Sequence, residues 1–206
     1  KLILHLRDEF NVELRLSAFL KQPTLASLST MITTKFDNPQ RQRHHKRMTK
    51  DLKLGSKISP AQSKPQGTDA VLLTGSTGFL GIHLLNHLYH DSNAKIYCLI
   101  RASSDAEGKA LLEMTVNQYK LGLPIDKRII PIVGDLSLPQ FGLDKKTYAL
   151  IAEEVDEIYH NGAFVHHLYS YEMLRAVNVL GTVELLKLGA HTKNKKPFCW
   201  LGSLSI

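Results

Sequence analysis

From Ala70 onward, short apolar runs alternate with longer stretches in which apolar residues recur every three or four positions. The runs near Ala70–Leu73, Lys95–Ile100, Ile129–Val133, Glu157–His160 and Phe198–Leu201 read as strands, and the stretches near Phe79–Tyr89, Asp105–Lys120, Lys145–Glu153 and Glu172–His191 read as helices. Strand and helix alternating at this spacing predicts a parallel sheet with helices on both faces, an α/β, Rossmann-type doubly wound fold that the chain holds incompletely.

The first 34 residues follow another pattern. Ile3, Leu6 and Phe10 recur at helical spacing, and Val12 to Leu16 alternates apolar and polar residues like an extended loop on a small core. Pro23-Thr24 opens a second helix, in which Thr24 can accept from a free amide of the first turn and Leu25, Leu28 and Ile32 form one face. Two such helices bury too little surface to stand alone, so this all-α segment is expected to belong to a larger unit that begins before Lys1.

Between the two lies a stretch, 35–68, with Pro39, Gly55, Pro60, Pro65 and Gly67 and few large apolar residues, which reads as a basic flexible linker. Charge sharpens that reading. The chain carries a net +7. Lys35 to Lys57 holds eight Lys/Arg against two Asp, so most of the excess sits here. A charge confined to one solvated stretch argues against a nucleic-acid-binding fold, and the alternative is a basic arm for RNA or an acidic partner. No apolar run approaches the roughly 18 residues that suggest a membrane span. The two cysteines, Cys98 and Cys199, lie far apart in apolar runs. They read as buried free thiols, with neither a disulfide framework nor a metal site, which suits a reducing cytoplasm.

The candidate chemistry begins where the first strand ends. Thr74-Gly75-Ser76-Thr77-Gly78-Phe79-Leu80-Gly81 places three glycines between a buried strand and a helix. Gly75 permits the tight turn, Gly78 lets backbone approach a pyrophosphate, and Gly81 lets the helix pack on the strand. The helix start offers free amides and a positive dipole end to phosphate. No Gly-Lys-Ser/Thr follows, so a Walker loop is excluded. At the end of the second strand stands Arg101, not a carboxylate, 20 residues after Gly81. A guanidinium there can pair with a 2′-phosphate, which favours NADP(H) over NAD, and a plain surface arginine is the other reading. Asp135, followed by Leu136, can accept from an adenine amino group or simply close a turn. After the fourth strand the small residues of Asn161, Gly162 and Ala163 let backbone approach the nicotinamide half of a cofactor, or form an ordinary turn. Ser203 follows the fifth strand at the sheet edge where ligands of such folds bind.

Together these residues resemble the extended short-chain dehydrogenase/reductase superfamily. Val71–Gly81, Tyr97-Cys98-Leu99-Ile100-Arg101-Ala102, Val133-Gly134-Asp135-Leu136-Ser137, Ile158-Tyr159-His160-Asn161-Gly162-Ala163 and Asn178-Val179-Leu180-Gly181-Thr182 look most like the thioester reductase domains that end nonribosomal peptide and polyketide synthases. The resemblance covers 69–206. Independently, Phe10-Asn11-Val12-Glu13-Leu14 and Phe19–Leu25 are similar to the back half of a peptidyl or acyl carrier domain.

The resemblance implies NADPH-dependent reductive release of a carrier-bound acyl or peptidyl thioester, through a hemithioacetal, as an aldehyde or, after a second hydride, an alcohol. It implies 4′-phosphopantetheine on a carrier serine upstream of Lys1, upstream synthase modules as partners, and no part for nucleic acid or membrane. It gives Ser203 the place of a catalytic hydroxyl, with Gly202 where the family commonly has Ser and His166 where Asn is common. The family's Tyr-x-x-x-Lys pattern is not within the chain, so these 206 residues are expected to be inactive alone. Two enzyme alternatives share the fold, a fatty acyl-CoA reductase and a sugar-nucleotide epimerase or dehydratase. A remnant that binds nucleotide without turnover is the non-enzyme alternative.

Overall fold

A computed structural model describes residues 3, 5, 6, 14–33, 46–55, 58, 67–166, 169–191 and 196–202. The chain divides into two compact units, 1–53 with 165–174, and 54–164 with 175–206.

The larger unit holds the sheet. Its strands are β1 (Ala70–Thr74), β2 (Lys95–Ile100), β3 (Ile129–Val133), β4 (Glu157–His160) and β5 (Phe198–Trp200), all parallel in the order β3-β2-β1-β4-β5. Every residue of β1 is buried, as a central strand covered on both faces requires. Side chains alternate between those faces. Ala70, Leu72, Tyr97, Leu99 and Ile158 pack with Tyr148, Ile151, Leu185 and Leu188. Val71, Leu73, Ile96, Cys98 and Ile100 pack with Ile82, Leu85, Leu112 and Val116. The helices supplying those partners are numbered after two in the other unit: α3 (Phe79–Asp91), α4 (Asp105–Gln118), α5 (Lys145–Glu154) and α7 (Gly181–Gly189).

Local sequence explains where these helices begin. Ser104 caps α4 by accepting from the Glu107 amide at 3.2 Å, while Glu107 reaches back to the Ser103 amide at 2.7 Å. Asp144 caps α5 through the amides of Lys146 and Thr147. α3 differs. Its N-cap is Gly78, and no side chain caps it. The stretch expected as one helix from Glu172 to His191 is helical from Tyr171 to Gly189, but a π turn (Ala176–Leu180) separates α6 (Tyr171–Arg175) from α7. The Gly181 amide bonds to Ala176 O, one residue further back than in an α-helix.

Among the described residues β5 is the last strand of the sheet, paired with β4. Cys199 is accordingly exposed rather than buried as its apolar surroundings predict, whereas Cys98 is buried as expected.

In the smaller unit α1 spans Leu16–Lys21 and α2 spans Leu25–Thr33. The extended reading of Val12–Leu16 therefore ends one residue early, because a six-residue helix is too short to show a period. Phe10 and Val12 lie outside the described residues. Thr24 accepts from the Ser27 amide at 3.1 Å, the cap that the sequence predicts. Leu14 and Leu28 are buried against Ile3, Leu6, Phe19, Met31 and Ile32. Leu25 is 83% exposed and does not join the expected face, since it sits in the first turn beyond the edge of this small core. Part of the expected linker is also ordered. Residues 46–51 are helical, Arg47 pairs with Glu172 at 2.6 Å, and Asp51 accepts from the Tyr171 hydroxyl. The partners lie more than a hundred residues away, so local composition cannot show them.

Candidate cofactor cleft

The parallel register brings the carboxyl ends of the strands to one edge. Thr74 lies beside Leu99 and His160, and Ile100 beside Val133. The residues that follow these ends therefore meet. Chain direction reverses about β1, whose neighbours β2 and β4 lead away in opposite senses, and such a switch point opens a crevice. The crevice here is a cleft of about 600 Å³.

The glycine loop forms one wall. Gly75 turns the chain at φ 73°, a conformation that favours glycine. Its carbonyl accepts from the Gly78 amide at 3.1 Å and from Asn161 Nδ2 at 3.3 Å. The uncapped start of α3 follows, with Thr77, Gly78, Phe79 and Leu80 lining the cleft. The first-turn amides of a helix have no partners within it. α4 and α5 satisfy some of theirs with side chains, whereas α3 has no side-chain cap and its first turn lines the cleft. This is the arrangement that an anion needs.

Arg101 is exposed on the cleft at the end of β2. Asp135 and Leu136 line it after β3, and Asn161, Gly162 and Ala163 after β4. Asp135 also closes a turn, since its Oδ1 accepts from the Ser137 amide at 2.7 Å. Both readings of that residue are thus compatible, because a carboxylate has further acceptor capacity. The loop behind it is fixed by Phe141, 1% exposed, whose carbonyl accepts from the Asp135 amide at 2.9 Å.

Two expected binding residues lie under the wall and not on it. Ser76 is fully buried, with its hydroxyl beside the Cys98 thiol, whose pKa burial pushes up to about 12. Gly81 packs directly behind Gly75. Ser203 lies outside the described residues. Sequence reading missed Leu99, Ile100, Gly134, Phe164 and Val177, which also line the cleft. Gly134 carried a local signal, because it precedes Asp135 at a strand end. Val177 comes from the π turn, which no pattern announces.

Gly78 tests what the cleft is for. A Cβ at Gly78 would meet only Gly75 O, at an ordinary 3.4 Å, so the protein itself does not require glycine there. The added methyl would project at the helix start, where phosphate backbone contact is expected. Gly78→Ala is therefore expected to weaken dinucleotide binding by about tenfold or more and to change stability by only about 0.5 kcal/mol. Titration calorimetry and thermal unfolding of the same variant read the two effects. Unaltered affinity would remove the loop from the binding site.

Comparison with known proteins agrees with this geometry. Residues 73–206 match the NAD-binding family described as male sterility protein. The chain belongs to this family. Over 203 residues, 95% of its length, it is 37% identical to a linear gramicidin synthase polypeptide of Brevibacillus parabrevis, and it spans 4% of that protein. Among solved structures, the terminal R domain from the myxalamid PKS-NRPS biosynthetic pathway matches with a TM-score of 0.73 at 39% identity, covering 77% of this chain and 42% of that one. A thiolation-reductase di-domain from an archaeal non-ribosomal peptide synthetase matches with a TM-score of 0.56 at 29% identity, over 68% of this chain and 36% of that one. The relatives place the chain among the nicotinamide-dinucleotide-binding reductase domains of the extended short-chain dehydrogenase/reductase superfamily.

Proposed function

We propose that this chain supplies the NADP(H)-binding part of a reductase that releases a carrier-bound acyl or peptidyl thioester. The observation that carries the reading is the cleft, where the Gly75–Gly81 loop, the uncapped start of α3 and Arg101 face one space. In this reading the amides of α3 hold the pyrophosphate, Arg101 the 2′-phosphate and Asp135 the adenine amino group. Gly162 and Ala163 lie along the nicotinamide half. Bound there, the cofactor supplies hydride.

The net reaction joins one hydride and one proton to the thioester, giving an aldehyde and a free carrier thiol. A further hydride and proton give an alcohol. Residues 1–34 are assigned to the back half of a carrier domain, 35–68 to the connection and 69–206 to the reductase. The similarity to gramicidin synthase supports this division, because it runs across all three segments. Ser203 is assigned the hydroxyl that holds the substrate carbonyl oxygen. The carrier's 4′-phosphopantetheine presents the acyl group, the upstream modules load it, and the free buried thiol of Cys98 suits a reducing cytoplasm.

The test uses the full-length polypeptide that contains this chain, with its carrier loaded with an acyl-phosphopantetheine. NADPH oxidation is expected in fixed ratio to aldehyde or alcohol and to free carrier thiol. Release of a carboxylic acid without NADPH consumption would instead show hydrolysis, and the proposal would fail.

A further inference from the structure

Behind the cleft wall runs a buried polar chain that the binding roles above do not use. Its centre is His160, the last residue of β4, 2% exposed. The imidazole Nδ1 lies 2.8 Å from Thr74 Oγ1, and Nε2 lies 2.9 Å from Thr182 Oγ1. Thr74 is fully buried at the end of β1, and its Oγ1 is 2.8 Å from the Gly162 amide. Thr182 stands in the first turn of α7, and its Oγ1 is 2.8 Å from the carbonyl of Asn178 in the π turn.

One arrangement of hydrogens satisfies every donor. An amide can only donate and a carbonyl can only accept, so the two ends fix the direction. Gly162 N–H donates to Thr74, and the Thr182 hydroxyl donates to Asn178 O. The imidazole then gives its Nε2 proton to Thr182 and takes the Thr74 hydroxyl proton at Nδ1. The opposite tautomer would leave the Thr74 hydroxyl proton facing a second donor in a fully buried place, an arrangement that folded proteins avoid. Burial also pushes the His160 pKa down to about 4, so the ring is neutral.

Both ends of this chain hold the same piece of cleft wall. Gly162 is held through Thr74. Two residues on, Phe164 is held through Asn178, whose Oδ1 accepts from the Phe164 amide at 2.7 Å and whose Nδ2 donates to the Phe164 carbonyl at 2.9 Å. There is no slack beside Gly162, where a Cβ would stand 2.9 Å from Thr74 Oγ1 and 2.7 Å from Leu136 Cδ1.

We propose that Thr74, His160 and Thr182 are positioning residues, a one-way hydrogen-bond chain from Gly162 to Asn178 that sets residues 162–164 against the nicotinamide end of the cofactor. The proposal rests on the dinucleotide reading of the cleft. It goes further in giving a residue that touches no ligand control over one end of that ligand.

The first measurement is the imidazole nitrogen spectrum of the histidine-labelled chain, with His160→Gln identifying the signal. His160 is expected to carry its proton on Nε2 and to stay neutral through the pH range around 6.5 in which an ordinary histidine titrates. A proton on Nδ1, or ordinary titration, would overturn the proposal without any appeal to binding. The second measurement compares Thr182→Val with Thr182→Ser. The valine variant is expected to leave the ring Nε2 proton without an acceptor, shifting that nitrogen's signal, and to weaken NADPH binding about tenfold, the scale of one hydrogen bond, while leaving adenosine 2′,5′-bisphosphate affinity unchanged. The serine variant restores both. Equal loss of the two ligands, or loss of neither, would rule out positioning of the nicotinamide end. If the unaltered chain bound neither ligand, the dinucleotide reading would itself fail, an outcome distinct from the others.

Discussion

Gly81→Ala is expected to abolish measurable dinucleotide binding and to lower the thermal midpoint by roughly 5–10 °C, the range for a loss of about 2–3 kcal/mol in a protein of this size. A Cβ at Gly81 would fall 1.9 Å from Gly75 O, 2.6 Å from Gly75 C and 2.9 Å from Asn161 Nδ2. No flexible side-chain end can yield to relieve the first two contacts, because they are backbone. Gly75 cannot retreat either, since the backbone of Asn161 and Gly162 fills the space beside it, 2.9 Å from where its own Cβ would stand. The turn, the helix start and the β4 loop are therefore interlocked, and moving one opens the others. Thermal unfolding and NADPH calorimetry on the variant check both parts. The contrast with Gly78→Ala separates two uses of glycine in one motif, one for internal packing and one for open space. If Gly81→Ala bound NADPH as tightly as the parent, the interlock would not hold the cleft.

This contrast also shows what the sequence could and could not reveal. All five strands begin where the apolar runs place them, and in β1 and β2 the run is clearest because burial on both faces is written into consecutive residues. The loop was equally legible, since turn, helix start and glycines are neighbours in the chain. The motif does not tell which of its members touch a ligand. Ser76 and Gly81 look like their neighbours in sequence, yet they support the wall from behind. The polar chain through His160 was not legible. Its contacts join residues 86 and 22 positions apart, and a histidine after an apolar strand carries no mark of its partners. The helical stretch at 46–51 is the same case, because its charge looks solvated in sequence until Glu172 comes to meet it. The polar pairs that sequence reading misses here are distant, and their pairing depends on the finished fold and not on local period.

Arg101→Ala is expected to weaken NADPH binding by between about tenfold and a hundredfold and to leave NADH binding unchanged, so that the two cofactors bind nearly alike. β2 ends at Ile100, level with Val133 of β3 and one residue past the Leu99–Thr74 pair, so Arg101 emerges on the cleft beside the glycine loop. Its neighbour across the cleft, Asp135, has one oxygen engaged with the Ser137 amide. Among the described residues Arg101 has no carboxylate within ion-pair distance, so its charge is available to a ligand. A guanidinium can meet a phosphate through two parallel hydrogen bonds, which lysine cannot reproduce. Arg101→Lys should therefore recover only part of the loss. Because the site is exposed, the preference should shrink as salt rises, which a purely steric preference would not do. Arg101→Asp should invert the preference, since a carboxylate there repels the phosphate and accepts from the 2′-hydroxyl of NADH. Calorimetry with both cofactors at two ionic strengths gives every quantity needed. Equal loss of NADPH and NADH in the alanine variant would mean that Arg101 holds some part common to both, and the 2′-phosphate would have to be read elsewhere.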